Sequence, residues 1–471
     1  MKIHRGVPGW LFAVLAALSA CESDPGATPG ASLGGSAGGG GSMPTASGGQ
    51  GGDHSLGGDG ATPSDGGGGA RPGGGGSAGG AAEMAGQSGS AAGSENRAGN
   101  GGTSAAGDAG ATSDAGASGA AGSGELREFL YIATPAGNVE ACSIDGASGV
   151  PQLLPGSPAG GTAHLTGIAV DRAHRFVFVI DQNSHIDTFQ ITADGSLRAQ
   201  SNFSLATTAP RFSLIALTVE PKGRFLYVAS AIEKTVYTFT IDAQTGELHP
   251  VGQPLPVGPA PDPSVPEFIT ADPSGHFLYL SQATPGIRGY RIDQATGTLS
   301  ELEGSPFAAA LPEADGTLGG ALAITPNGGF LYAASGALNG FSVGPDGALD
   351  LLDGSPFAHD LQSEPAAPNV AIDPQGEYLY ATNLVTQHHV SGFAIHPTSG
   401  ALAEVPGSPL TVAGPYSVAI DPSGRFVFVG IDNPQLGVYA LQRANGSLQK
   451  LDDSPFSLGG VEPKFAFAAF E

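Results

Sequence analysis

The sequence is poor in tryptophan, cysteine and basic residues, and each shortage excludes a class of protein. The single tryptophan is Trp10, so the rest of the chain has neither the Trp-Asp repeats of one large propeller class nor a Trp platform for stacking sugars. Two cysteines, Cys21 and Cys142, are too few for a disulfide framework or a cysteine-ligated metal site. Lys and Arg number 18 against 43 Asp and Glu, and the net charge of −25 repels phosphate backbones. We therefore expect no nucleic-acid partner.

Residues 22–124 contain no Phe, Tyr, Trp, Val or Ile, although Gly, Ala and Ser are abundant there. Such a segment cannot bury enough apolar surface to offset the roughly 1–2 kcal/mol of backbone entropy that each ordered residue costs. We therefore interpret residues 21–125 as a disordered, low-complexity linker. A Gly-rich chain of this length has a root-mean-square reach of about 50–60 Å.

The first twenty residues have the pattern of an export signal. Lys2 and Arg5 supply a basic start, and Trp10–Leu18 supplies an apolar run too short to span a bilayer as a mature helix. The following Leu18-Ser19-Ala20-Cys21 resembles the bacterial lipobox, in which cleavage precedes a cysteine that becomes lipidated. We predict a signal peptide over 1–20 and a lipid anchor on Cys21. The protein is then expected in the cell envelope, on the outer membrane, periplasmic or surface-exposed, and which membrane and leaflet stay open.

An aromatic and aliphatic strand motif recurs seven times at intervals of about 50 residues, a spacing typical of one four-stranded propeller blade per repeat. The copies begin at Phe129, Phe176, Phe225, Phe277, Phe330, Tyr378 and Phe426.

Each repeat has the same internal order of signals. A turn of the type Asp272-Pro-Ser-Gly275 precedes the aromatic strand, and a Thr-Gly turn such as Thr296-Gly297 precedes an outer strand. A Gly-Ser-Pro-Phe loop, as in 304–307, then leads to the next repeat. The first repeat lacks an inner strand and the last is followed by a spare one, 465–470. We therefore predict that residues 126–471 form an all-β, seven-bladed β-propeller in which the C-terminal strand completes blade 1.

The Asp-Pro-x-Gly turn, the aromatic strand, the Thr-Gly-x-Leu turns and the closing strand together resemble the seven-bladed propeller lactonases. That family includes 6-phosphogluconolactonases and muconate cycloisomerases, and the resemblance covers 126–471. It implies a lactone or sugar-acid ligand and an activity of lactone hydrolysis or cycloisomerisation. As an activity signature it is weak, because one fold hosts many functions.

Members of that family carry Pro-Arg-His before an inner strand, then His-Pro at its turn and Asn-Glu after the next strand. No blade of this chain holds the whole set. Blade 3 has Pro210-Arg211-Phe212, and blade 4 has Pro266-Glu267-Phe268 followed by Asp272-Pro273 and Gln282-Ala283. We therefore expect the family's usual chemistry to be absent or rearranged.

One position at the start of each inner strand varies while the scaffold around it repeats. In a propeller these starts encircle one mouth of the central channel, a concave place where small ligands bind. Ordinary loop variation is the alternative explanation. The candidate ligand-binding residues are His164, Arg211, Glu267, Asn369, Tyr416 and Lys464, with Gly319 or Gly320 in blade 5.

Three functions remain open from the sequence. The first is a ligand- or protein-binding module anchored to the membrane through its lipid, and the second is a lactonase or related cycloisomerase with a rearranged site. The third is a structural protein of the envelope. We expect a monomer with no cofactor and no metal, whose partner is a small lactone or sugar acid or an envelope protein.

Overall fold

The structure is a computed structural model. It describes residues 127–134, 136–161, 164–205, 214–258, 265–282, 286–308, 320–335, 337–357, 369–383, 388–431, 435–457 and 464–470. The predicted signal peptide, Cys21 and the linker lie outside these residues. Within them the secondary structure consists of β-strands joined by turns. No helix long and apolar enough to cross a membrane occurs in the part of the chain that is described.

Thirty-two strands form over the described residues. In chain order they are β1 (Arg127–Ala133), β2 (Asn138–Ile144), β3 (Pro151–Leu153), β4 (Ala159–Gly160), β5 (Leu165–Val170), β6 (Phe176–Asp181), β7 (His185–Ile191), β8 (Leu197–Ser204), β9 (Leu214–Val219), β10 (Phe225–Ser230), β11 (Thr235–Ile241), β12 (Leu248–Pro250), β13 (Leu255–Pro256), β14 (Pro266–Ala271), β15 (Phe277–Gln282), β16 (Ile287–Ile292), β17 (Leu299–Glu301), β18 (Ala321–Ile324), β19 (Phe330–Ser335), β20 (Ala337–Val343), β21 (Leu349–Leu351), β22 (Val370–Ile372), β23 (Tyr378–Asn383), β24 (His389–Ile395), β25 (Leu402–Glu404), β26 (Leu410–Thr411), β27 (Pro415–Ile420), β28 (Phe426–Ile431), β29 (Gln435–Leu441), β30 (Leu448–Lys450), β31 (Phe456–Ser457) and β32 (Lys464–Phe470).

The strands form seven antiparallel sheets, one for each sequence repeat in the described range, and the sheets are the blades of a propeller. Blades 2 to 7 each use four consecutive strands, from β5–β8 to β27–β30. Blade 1 has the order β3-β2-β1-β32, so the last strand of the chain pairs with the first. The predicted fold and the predicted closure are therefore confirmed.

The loops after the outer strands differ in one detail from the sequence prediction. We predicted that each loop runs directly to the next blade. In blades 1, 3, 6 and 7 a two-residue strand follows the outer strand and returns to pair with the third strand. The serine anchors this return where the Ser-Pro sequence occurs: the amide of Val438, for example, donates to Ser454 Oγ at 2.8 Å.

The Asp-Pro-x-Gly turns set the start of each second strand. Asp272 and Asp421 are almost fully buried, and each Oδ1 accepts the amide of the aromatic residue that begins the second strand at 2.7 Å. The closing glycines have positive φ, 72° at Gly275 and 68° at Gly424. These turns lie together at one end of the blades, called here the turn face.

The core lies in the seams between blades rather than within a blade. Seven clusters of buried aromatic and aliphatic side chains occur among the described residues, each formed by two adjacent blades. The inner strands also pack in a closed cycle, in the order β32, β5, β9, β14, β18, β22, β27 and back to β32. This cycle brings the starts of all seven inner strands to one end of the channel.

Candidate functional site

The starts of the inner strands and the hairpins between second and third strands share one end of the propeller, which we call the mouth face. They share it because every blade repeats the same antiparallel order, so corresponding ends point the same way. The turn face is the opposite end. The mouth face is the part of the scaffold where residues differ from blade to blade.

Glu267 and Tyr416 occupy equivalent places on this face. In β14 and in β27 the register shifts at the second residue, so that Glu267 and Tyr416 are the extra residues of two β-bulges. Bulges re-aim a side chain and are common beside functional sites. Both side chains are half-buried. The same bulge carries Thr166 in β5 and Ile215 in β9.

The other candidates stand at neighbouring positions of the strand. Lys464 pairs with Ala133, one step beyond the bulge position, and Asn369 is at the same level in blade 6. His164 precedes the bulge residue Thr166 by two positions and is exposed. The structure thus places the described candidates on one face, at three different positions along the strand rather than at one repeated position.

Asn369 has a structural role besides its place at the mouth. Its side-chain Oδ1 accepts the amide of Val418 in the next blade at 3.2 Å. Comparable hydrogen bonds join neighbouring blades elsewhere, from Thr166 Oγ1 to the Leu214 carbonyl and from Ser281 Oγ to the Gly320 carbonyl, both at 2.8 Å. Arg211 and the side chain of Lys464 lie outside the described part of the chain.

A network around a buried guanidinium lies near Glu267 in blade 4. The guanidinium of Arg288, 4% exposed, donates to Gln282 Oε1 at 2.8 Å and to Glu301 Oε1 at 2.6 Å. Gln282 ends β15 opposite Pro266, the neighbour of Glu267. The positive charge of Arg288 is therefore already matched by a carboxylate.

Blade 3 has a carboxylate and a phenol close together near the mouth face, in and just after the hairpin between β10 and β11. Tyr237 Oη donates a short hydrogen bond to Glu233 in the hairpin before it. Burial, and then the neighbouring carboxylate, raise the pKa of Tyr237 to about 12. The phenol therefore stays protonated at neutral pH and acts as a donor.

Blade 2 carries a carboxylate–imidazole pair at the end of its second strand. Asp181 is fully buried, and its Oδ2 lies 2.9 Å from Nδ1 of His185. Its Oδ1 accepts the amides of Asn183 and His185 at 2.9 and 2.7 Å. The amide of Gln182 donates to the His164 carbonyl at 3.1 Å, so this pair adjoins the predicted mouth residue His164.

The turn face holds most of the described arginines. Five guanidinium groups lie over aromatic rings there, at 4.9 to 5.8 Å from the ring centroids. They belong to Arg175, Arg224, Arg291, Arg425 and Arg443. Among the residues described, no group of three His, Cys, Asp or Glu side chains is placed to hold a metal ion.

The seven sheets and the pairing of the last strand with the first define a closed seven-bladed β-propeller. A family model described as "Lactonase, 7-bladed beta-propeller" matches residues 127–265, 216–314 and 336–461. The chain therefore belongs to the seven-bladed β-propeller lactonase family.

Individual relatives are distant. A 6-phosphogluconolactonase of Yersinia pestis is 27% identical over 139 residues, which are 28% of this chain and 40% of that enzyme. The chain thus matches less than half the length of this curated relative. A 6-phosphogluconolactonase of Formosa agariphila is 24% identical over 302 residues, 50% of this chain and 83% of that protein.

The solved structure of a periplasmic gluconolactonase from Pseudomonas aeruginosa has a TM-score of 0.60 to this chain at 22% identity. The superposed region covers 74% of this chain and 100% of the gluconolactonase chain. At this identity the likeness establishes the fold alone.

Sequence reasoning missed Asp181–His185 and the Arg288 network. The spacing Asp-x-x-x-His directly after an aromatic strand was a usable signal, because a three-residue loop returns the two side chains to adjacent positions. The Arg288 network gave no such signal, since Gln282, Arg288 and Glu301 come from three strands.

Proposed function

We propose that the protein is an exported, lipid-anchored lactonase that hydrolyses an uncharged sugar-acid lactone at the mouth face. Membership of the lactonase family supports the reaction class. The predicted signal peptide and the predicted lipid on Cys21 support the location. Both curated relatives cited above are named for a phosphorylated lactone, and the proposal differs from them in the charge of the substrate.

The distribution of charge on the mouth face is the observation that carries the choice of substrate. In the described part of blades 2 to 4, this face has more acidic than basic side chains. The acidic ones are Asp181, Asp187, Glu233, Glu267 and Glu301, and the basic ones are Lys234 and Arg288.

Arg288 and Glu301 neutralise each other, which leaves four carboxylates against Lys234 in these blades, so a phosphorylated lactone would meet an excess of negative charge there. Five further arginines are held over aromatic rings on the turn face. Phosphate recognition ordinarily uses clustered Arg or Lys, because bidentate guanidinium contacts match phosphate oxygens. An uncharged lactone avoids this repulsion and can still accept hydrogen bonds from the polar groups of the mouth face.

The direct test is proton release by the full chain in detergent at constant pH. Glucono-1,5-lactone, its 6-phosphate and a muconolactone are compared, each against its spontaneous hydrolysis. We expect turnover of the uncharged aldonolactone above background, with a higher kcat/KM than for the phosphorylated one. A preference for the phosphorylated lactone would overturn the charge argument.

A non-catalytic binding module is the second candidate. It is favoured by the sequence of blade 4, where Glu267-Phe268 and Gln282-Ala283 stand in place of the Arg-His and Asn-Glu of the family's string. The absence of turnover on every lactone of the panel, together with saturable binding of one of them, would favour this candidate.

The predicted anchor has its own test. A Cys21→Ser variant removes the thiol that would carry the lipid. We expect wild-type protein in the membrane fraction and C21S protein in the soluble envelope fraction. Equal membrane recovery of the two would contradict the anchor and would leave the proposed reaction untouched.

A further inference from the structure

We propose that His185, oriented by the buried carboxylate of Asp181, is the general base that activates water for lactone opening. This inference rests on the proposed function and names the catalytic group of the same face. His185 would contact the attacking water and is the catalytic residue, whereas Asp181 acts through His185 and is a positioning residue.

The hydrogen bonds of the pair fix the imidazole for this task. Asp181 Oδ2 accepts from Nδ1 of His185 at 2.9 Å, so Nδ1 carries the proton and Nε2 presents a lone pair. The side chain of His185 is 31% exposed while that of Asp181 is fully buried. The imidazole is therefore partly accessible to solvent, while the carboxylate that holds its Nδ1 is inside the blade.

Closing the hairpin between the second and third strands does not require a carboxylate at the position of Asp181. In blades 1 and 3 the equivalent residue is Thr134 or Ser230, and its hydroxyl accepts an amide of the same hairpin at 3.3 Å. A neutral side chain therefore suffices to close this turn. A buried charge is costly unless it is paired, and Asp181 is paired with an imidazole.

Blade 6 provides an internal comparison. His389 stands opposite Asn383, the same two positions as His185 and Asp181. That imidazole is 2% exposed, and its strand partner is a neutral residue. Blade 2 thus combines a carboxylate partner with solvent access, the two properties that a base needs.

The pair lies beside the predicted mouth. Asp181 is the strand partner of Leu165, which follows His164 at the start of β5. The other ionisable group of β7 near His185 is Asp187, which accepts a short hydrogen bond from Asn202 of β8. Opposite His185 on β8 is the neutral Ser204. The pair therefore lies on the mouth face, next to the start of the inner strand of blade 2.

The reaction balances without an added reactant. His185 Nε2 takes a proton from water as the water oxygen forms a bond to the lactone carbonyl carbon. The tetrahedral intermediate then breaks the ring C–O bond, and the ring oxygen leaves as a hydroxyl that takes the proton back from the imidazolium. The product acid loses its proton to solvent, which is the proton release that the assay follows.

The test compares His185→Gln and Asp181→Asn with a matched control, His396→Gln. His396 is also partly solvent-accessible and hydrogen-bonded, but it lies in a turn-face hairpin of blade 6. We expect H185Q to lower kcat/KM by about 10²–10⁴, the usual range for losing a general base. D181N should lower it at least about tenfold, and H396Q should leave it unchanged.

A pH profile separates catalysis from folding. An imidazole base loses activity on the acid side once it is protonated, so wild type should show an acid limb that H185Q lacks. Added imidazole should restore part of the H185Q activity. If wild type turns over a lactone and H185Q keeps both the rate and the limb, His185 is not the base and the proposed function stands. If wild type turns over no lactone, the proposed function and this inference both fail.

Discussion

At the scale of single residues, a buried tyrosine joins each of five blades to the next. The hydroxyls of Tyr131, Tyr227, Tyr279, Tyr332 and Tyr380 each donate to the carbonyl of a glycine in the following blade, at 2.6 to 2.9 Å. Phe178 and Phe428 take the same position in blades 2 and 7. The aromatic ring at this position therefore packs in all seven blades, and the tyrosine hydroxyl adds a hydrogen bond in five of them.

We expect Tyr279→Phe to destabilise the protein by about 1–2 kcal/mol, because the Gly347 carbonyl loses a buried donor. The measurement is urea unfolding. Tyr439→Phe is the control, since the structure shows no hydrogen bond of its hydroxyl within the described residues, and it should change stability by less than about 0.5 kcal/mol. Equal effects of the two substitutions would show that ring packing, not the hydrogen bond, holds the seam.

Glu128 gives stability a dependence on pH. It is 1% exposed at the seam where blade 7 meets blade 1, and burial, followed by the nearby Asp421 carboxylate, raises its pKa to about 7. Between the ordinary carboxyl range and pH 7 the folded state therefore binds more protons than the unfolded state. Unfolding free energy should fall as pH rises through this window and level off above it, with a slope of at most about 1.4 kcal/mol per pH unit.

Substituting Glu128→Gln removes that titration. The variant should be more stable than wild type at pH 8 and should lack the contribution of Glu128 to the slope between pH 5 and 7. Glu404→Gln, at a solvent-exposed position, serves as the control. The account of Glu128 fails if E128Q and wild type keep the same difference in unfolding free energy at every pH.

At the scale of elements, the glycine turns between the third and outer strands fit one blade against the next. In each of the seven blades the turn glycine has positive φ and lies against the aromatic residue that begins the second strand of the preceding blade. The pairs are Gly149 with Phe426, Gly195 with Phe129, Gly246 with Phe176, Gly297 with Phe225, Gly347 with Phe277, Gly400 with Phe330 and Gly446 with Tyr378. The glycine that forms the turn therefore also forms a packing contact between neighbouring blades.

A methyl group at such a turn should disrupt the seam. In Gly347→Ala the new Cβ would overlap the Phe277 ring, and φ is 89° there. Gly407→Ala is a matched control, because φ is 83° and nothing lies within 4 Å of its Cβ. We expect about 1 kcal/mol from backbone strain at Gly407 and at least about 1–3 kcal/mol more at Gly347. Thermal unfolding of the two variants measures the difference, and similar melting temperatures would contradict the packing argument.

The elements could be predicted from the sequence because each carries a local signal. The strand of Phe277, its turn at Asp272 and the closing strand at 465–470 were all visible as repeats. The candidate site was harder, because its residues depend on register. The bulges at Glu267 and Tyr416 shift these residues by one position relative to Asn369 when the inner strands are aligned. No local residue pattern predicts such a bulge.

At the scale of the whole molecule, closure depends on the last strand. β32 pairs with β1 over seven residues and packs against the inner strands of blades 2 and 7. Without it, β1 would become an unpaired edge and two inner seams would open. The end of the chain therefore completes blade 1.

We expect a variant that ends at Ser457 to lose the single cooperative unfolding transition and to aggregate. A variant lacking only residues 22–124 should keep the wild-type urea midpoint, because that segment has no composition for a core. The two variants are compared by urea unfolding. A wild-type midpoint after removal of β32 would mean that closure contributes little.

Hydrolysis of an uncharged lactone at an acidic mouth face is the central claim for the molecule. Its most direct test is the rate of proton release by the full chain with glucono-1,5-lactone, measured beside the 6-phosphate at the same pH and ionic strength. The account predicts turnover above the spontaneous rate and a kcat/KM for the uncharged lactone that exceeds that for the phosphorylated one. No turnover of either lactone, or a preference for the phosphate, would contradict it.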